Sequence, residues 1–122
     1  METKRANKAM VIGIDSPIAA RVYRWAREGK LPALKGLLER GVHAPNCLVP
    51  LPTVTPPNWT TIATGAWPGT HGITDYMVHL PGQPLHEVHN GYLADEVQAE
   101  TLWDALARVG KKAIIVNWPT TW

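Results

Sequence analysis

Residues 9–15 read Ala-Met-Val-Ile-Gly-Ile-Asp, an unbroken apolar run closed by a carboxylate. A run this short, with no polar alternation, suits a strand buried on both faces, as in a parallel sheet. Near the other end Ala113-Ile114-Ile115-Val116 has the same character. Between them the apolar spacing turns helical. Ser16 and Pro17 suit an N-cap and first helical position. Ile18, Val22 and Trp25 then follow at i, i+4 and i+7, so a helix is expected to about Glu28, with Gly29 beyond it. Pro32 opens a second helix carrying Leu34, Leu37 and Leu38, and Gly41 stops it. Leu102, Leu106 and Val109 predict a helix over 100–109, closed by Gly110. Apolar strands joined by helices predict an α/β fold: three layers, with a mostly parallel sheet and flanking helices.

The middle of the chain is less regular. Residues 42–55 are proline-rich and extended, and Asn58 to Thr64 can form two helical turns ended by Gly65. Residues 75–80 and 85–89 flank Pro81-Gly82-Gln83-Pro84 and read as a hairpin with a four-residue turn. Residues 1–8, with Lys4, Arg5 and Lys8, read as a flexible basic tail, and 9–122 as part of one domain. The chain closes on Trp118-Pro119-Thr120-Thr121-Trp122, an apolar end expected inside a larger domain.

Composition narrows the function. Twelve Lys and Arg against ten Asp and Glu give +2 over 122 residues. That balance predicts neither nucleic acid nor an anionic membrane as partner. The single cysteine, Cys47, cannot form an internal disulfide, and no apolar run is long enough for a secretory leader or a membrane span. A cytoplasmic protein is the expectation.

Two residues stand where chemistry could occur. Asp15 ends the first strand, and open α/β sheets bind ligands at the carboxyl ends of their strands. A carboxylate there suits a divalent cation. The plainer alternative is that Asp15 only assists the helix start. Thr55 lies in Pro52-Thr53-Val54-Thr55-Pro56-Pro57-Asn58-Trp59. A residue before proline is pushed extended, so Thr55 is expected just outside the following helix, near its positive end. Pro56 and Pro57 have no N–H, so the backbone N–H groups of Asn58 and Trp59 and the Asn58 amide are the expected donors to a phosphate. A threonine hydroxyl becomes a nucleophile when a metal or base removes its proton. On residue type alone, an ordinary threonine at a helix start is the simpler account.

The ordered set of short motifs resembles a known family. Val11-Ile12-Gly13-Ile14-Asp15, the segments 29–34 and 37–41, the Thr55 motif, Thr64-Gly65 with Pro68, and His71-Gly72-Ile73 follow one another. Thr101-Leu102-Trp103-Asp104, Gly110-Lys111-Lys112 and Asn117-Trp118-Pro119 continue the series. Together they resemble the N-terminal part of the type I phosphodiesterase and nucleotide pyrophosphatase family, within the alkaline phosphatase superfamily. The resemblance implies hydrolysis of a small-molecule phosphoester with Thr55 as nucleophile. It makes Asp15 and Thr55 ligands of a divalent metal, with two zinc ions in a complete site and manganese as an alternative. Where nucleotide pyrophosphatases place a phosphate-contacting asparagine, this sequence has Thr74-Asp75-Tyr76, so Tyr76 or Asp75 becomes a substrate-binding candidate, beside Asn58 at the helix start. The family's other ligands are an Asp-x-x-x-His pair, an Asp-His pair and a later histidine, and none is expected here. The alternatives are a phosphomutase-like member of the superfamily, or a non-catalytic truncated or split module that self-associates through exposed apolar surface. His71 is expected to pack or hydrogen-bond, His79, His86 and His89 to be solvated, and Cys47 to pack as a small hydrophobe.

Overall fold

The computed structural model describes residues 8–44 and 46–122, so most of the expected basic tail lies outside the described residues. The chain divides into two compact units, one running to Cys47 and one spanning Leu48–Trp122.

In the first unit α1 (Ala19–Arg27) and α2 (Pro32–Arg40) pack together as a helical hairpin. Gly29, at φ +79°, makes the left-handed turn between them. The expected start of α1 needs correction. Ile18 occupies the N-cap and no side chain caps the helix. Ser16 instead takes a left-handed conformation at φ 48°, and its Oγ donates to Asp15 Oδ1 at 2.6 Å. That local bond competes with capping. Ala26 is buried and Val22 and Trp25 are half-buried, whereas Ile18 is exposed. In α2, Pro32 leads and Gly41 follows as expected, with Leu34 and Leu38 half-buried and Leu37 exposed. Cys47 is exposed, contrary to expectation.

The second unit begins with α3 (Thr55–Thr64), then α4 (Pro68–His71). β1 (Met77–Val78) and β2 (His89–Asn90) follow, then a 3₁₀ turn at Ala94–Glu96, and finally α5 (Leu102–Arg108). α3 buries Pro56, Pro57, Thr60 and Ala63, a face repeating at helical spacing, and packs on α4. The Thr60 hydroxyl donates back to Pro56 O at 2.8 Å and lies 3.3 Å from Thr120 Oγ1, which satisfies it inside the core. Trp118 packs edge-on against Trp59 (4.9 Å, 90°) and against Trp103 (6.0 Å, 70°). Aromatic rings favour this edge-to-face arrangement. Gly65, at φ +69°, ends α3 in the left-handed cap that glycine allows. Thr101 caps α5, and Thr101 and Asp104 form a reciprocal capping box.

The sheet departs from expectation. Among the described residues there is one two-stranded antiparallel ladder, with Met77 opposite Asn90 and Val78 opposite His89. A hairpin is present, but it differs from the expected one: the ladder is only Met77–Val78 with His89–Asn90, the connection runs over residues 79–88 instead of a four-residue turn, and His86 lies within that connection. Residues 9–14 and 113–116 form no ladder. Ile12 is 74% exposed and Ile114 93%. A parallel strand owes its stability to hydrogen-bonded neighbours and covered faces. These runs have neither among the described residues, so their strand-like composition is not expressed as a sheet.

Candidate active site

Thr55 is the first residue of α3, not a residue outside it, and Val54 is the N-cap. The first turn of a helix has N–H groups without intrahelical acceptors, and proline fits there because it has none to satisfy. Pro56 and Pro57 therefore extend α3 backwards to Thr55 and override the usual bias of a pre-proline residue. The Val54 N–H donates to Pro52 O at 2.9 Å and the Asn58 N–H to Val54 O at 3.4 Å. The Thr55 N–H is thus the donor of this turn left without an intrahelical acceptor, among the described residues. It belongs to the candidate nucleophile itself.

The expected donors at Asn58 are otherwise engaged. Its Nδ2 donates to Pro52 O at 3.0 Å and to Val54 O at 2.8 Å. Both partners are carbonyls, which fixes the amide orientation. Asn58 Oδ1 is buried without a hydrogen-bond partner among the described residues. In this arrangement Asn58 staples the 52–54 segment to the helix that carries Thr55.

Tyr76 does come to Thr55. Its hydroxyl lies 3.4 Å from Thr55 Oγ1, a long contact by the standard of O–H···O bonds. Candidate acid–base groups often sit this loosely before substrate binds. Tyr76 is 45% exposed, so its hydroxyl faces space a substrate could enter.

His71 supports the site from below. It is fully buried, with Nε2 3.0 Å from Thr61 Oγ1 and Nδ1 accepting the Ile73 N–H at 3.1 Å. Because Nδ1 accepts, the proton is assigned to Nε2. Burial lowers the imidazole pKa below its ordinary 6.5, opposed by hydrogen bonding to the carbonyl of Pro57. His71 thus ties α4 to the first turns of α3 as a neutral ring, the hydrogen-bonding role expected of it. The other histidines are less uniform. His79 Nε2 lies 3.1 Å from Pro84 O. His89, expected to be solvated, is half-buried between Glu96 Oε1 (2.9 Å) and Gln83 Oε1 (2.7 Å).

Asp15 lies in the first unit and Thr55 in the second. Asp15 is exposed, with the Ser16 hydroxyl on Oδ1. Among the described residues no group of three or more His, Cys, Asp or Glu could hold a metal ion. Asp15 and Thr55 offer oxygen donors of the right kind, but stable zinc sites take at least three protein ligands. The described residues do not complete a metal centre. No helix among them is long and apolar enough to cross a membrane.

The model of the type I phosphodiesterase / nucleotide pyrophosphatase family matches residues 9–122. The chain belongs to this family. An uncharacterized pyrophosphatase/phosphodiesterase of Schizosaccharomyces pombe is 42% identical over 64 residues, covering 52% of this chain and 12% of the relative. Two ectonucleotide pyrophosphatase/phosphodiesterases of Caenorhabditis elegans are each 33% identical, covering 70% of this chain and 11% and 12% of their own lengths. The chain therefore spans about an eighth of the curated relatives it matches. No solved structure matches. Membership of the phosphodiesterase family implies an alkaline-phosphatase-like α/β fold, whose sheet is not formed among the described residues. The family is generally metal-dependent.

Two contributors to this candidate site were not legible beforehand. The Thr61–His71 contact joins residues across the Gly65 loop, and no local pattern marks it. Gly91 donates its N–H to Tyr76 O at 2.8 Å, which only the hairpin register reveals.

Proposed function

We propose that this chain carries the nucleophile of a phosphoester hydrolase acting on small phosphodiesters or nucleotide pyrophosphates. The observation that carries the reading is the Tyr76 hydroxyl 3.4 Å from Thr55 Oγ1 at the first residue of α3. Family membership supports the reaction class. Thr55 Oγ1 attacks phosphorus and gives up its proton to solvent, the P–O bond to the leaving group breaks and the leaving oxygen takes a proton from solvent; water then attacks phosphorus, breaks the P–Oγ1 bond of the threonine phosphoester and leaves Oγ1 protonated again. Tyr76 donates its hydroxyl proton as a hydrogen bond to a phosphoryl oxygen. The Thr55 N–H, at the positive end of α3, faces the same developing charge. Asn58 and His71 hold that helix end in place.

A divalent cation, zinc or manganese, would lower the pKa of the Thr55 hydroxyl, with Asp15 among its ligands. Cytoplasmic location and the absence of nucleic-acid or membrane partners belong to the same proposal.

The test is Thr55→Ala in the intact protein, assayed on aryl phosphodiester and nucleotide substrates. Turnover should fall by several orders of magnitude while the unfolding free energy stays within about 1 kcal/mol of the parent, as is usual for a half-exposed side chain. Unchanged turnover sinks the reading.

A further inference from the structure

Tyr76 is exposed, yet three contacts hold it. Its N–H donates to Asp75 Oδ1 at 2.7 Å, and its carbonyl accepts the Gly91 N–H at 2.8 Å. Its ring lies 5.8 Å from that of Tyr92 at 56°, within the preferred range of tilted aromatic pairs. Tyr92 is itself anchored. Its N–H donates to Asn90 Oδ1 at 3.0 Å, and its ring stacks on Trp122 at 5.8 Å and 24°. The Trp122 backbone is held beside the same turn, its carbonyl accepting the Ala94 N–H at 2.9 Å, while its exposed indole has the Tyr92 ring as its stacking partner. The turn leaving β2 presses hard on residues 75–76. A Cβ on Gly91 would stand 2.2 Å from Asp75 O, so only glycine permits this approach.

From this geometry we infer that Tyr92 is a positioning residue, which sets the Tyr76 hydroxyl over Thr55 Oγ1. The inference rests on Thr55 being the nucleophile. The Tyr92 ring reaches Tyr76 and Trp122, so its influence on Thr55 passes through the Tyr76 ring. It removes rotamer freedom from an exposed ring whose hydroxyl must meet a phosphoryl oxygen within a few tenths of an ångström. Misplacement of a catalytic contact by about 1 Å can cost about 100-fold. A row of rings backed by Trp122 is a stiff support for such a hydroxyl, since aromatic side chains have few rotatable bonds.

The test is a double-mutant cycle in the intact protein, reading kcat and KM for Tyr92→Ala, Tyr76→Phe and the pair, with Tyr92→Phe as rescue. Tyr92→Ala should lower kcat roughly tenfold with little change in KM, the pattern of a contact made in the transition state. Tyr92→Phe keeps the ring and should retain the parent kcat. In the Tyr76→Phe background, Tyr92→Ala should change kcat less than about twofold, because the hydroxyl it aimed is gone. Equal losses in both backgrounds, or a Tyr92→Phe defect as large as that of alanine, overturn the inference. If Tyr92→Ala fails to fold, Tyr92→Leu keeps apolar volume without the flat ring and is read in the same cycle. The underlying reading fails separately, by Thr55→Ala retaining turnover. Loss of turnover there with a multiplicative cycle rejects only the role of Tyr92.

Discussion

Replacing His71 with leucine should separate the support of the helix that carries Thr55 from any chemistry at Thr55 itself. The imidazole is fully buried and makes two hydrogen bonds inside the second unit. Leucine fills similar volume, so little cavity forms. It strands the Ile73 N–H, a buried donor whose orphaning costs about 1–3 kcal/mol. It also removes the bond to Thr61 Oγ1, worth about 0.5–1.5 kcal/mol at a half-buried hydroxyl. The sum is about 2–4 kcal/mol, a large share of the 5–15 kcal/mol typical of a domain. In urea, at a mid-range slope of about 2 kcal/mol/M, the midpoint should fall by roughly 1–2 M with the slope unchanged.

Acidity supplies an independent readout of the same residue. Burial lowers the His71 pKa below 6.5, so between the two values the unfolded chain binds more protons than the folded one. The parent's stability is then complete above about pH 6.5 and declines as pH falls through 6.5 toward the lowered value. The leucine variant should lose that part of the slope. Urea titrations from pH 8 to pH 5 check both. A leucine variant within about 0.5 kcal/mol of the parent, or one with an unaltered acid slope, refutes the argument.

Two further substitutions test how the second unit is built. Gly91→Ala places a methyl 2.2 Å from Asp75 O, so backbone must shift. Overpacking of this kind costs typically about 1–3 kcal/mol, and thermal unfolding should show it together with a fall in kcat, because Tyr76 moves too. Thr101→Ala removes one half of the capping box on α5 and should cost about 1 kcal/mol, read as a urea midpoint shift with kcat unaltered, since α5 holds no candidate site residue.

The helices were legible because their signals are local. Pro32 and Gly41 bracket α2, Gly65 closes α3, and the Leu102–Leu106 spacing marks α5, each by chain geometry that needs no partner. The start of α3 was misplaced because the rule for a residue before proline yields to the fit of proline in a first helical turn. The start of α1 was misplaced because Ser16 bonds Asp15 in preference to the helix.

The sequence by itself determined the family and the residue types of the candidate site, since motif order is written along one chain: Asp15 closing an apolar run, Thr55 before two prolines, Tyr76 after His71-Gly72-Ile73. Only the tertiary structure decided which of these meet. It put the Tyr76 hydroxyl on Thr55, turned the Asn58 amide onto carbonyls, and buried His71 beneath the helix they share. The runs at 9–14 and 113–116 show the same division. Their apolar composition is fixed by the chain, but a strand becomes a sheet only where neighbours supply its hydrogen bonds and cover its faces.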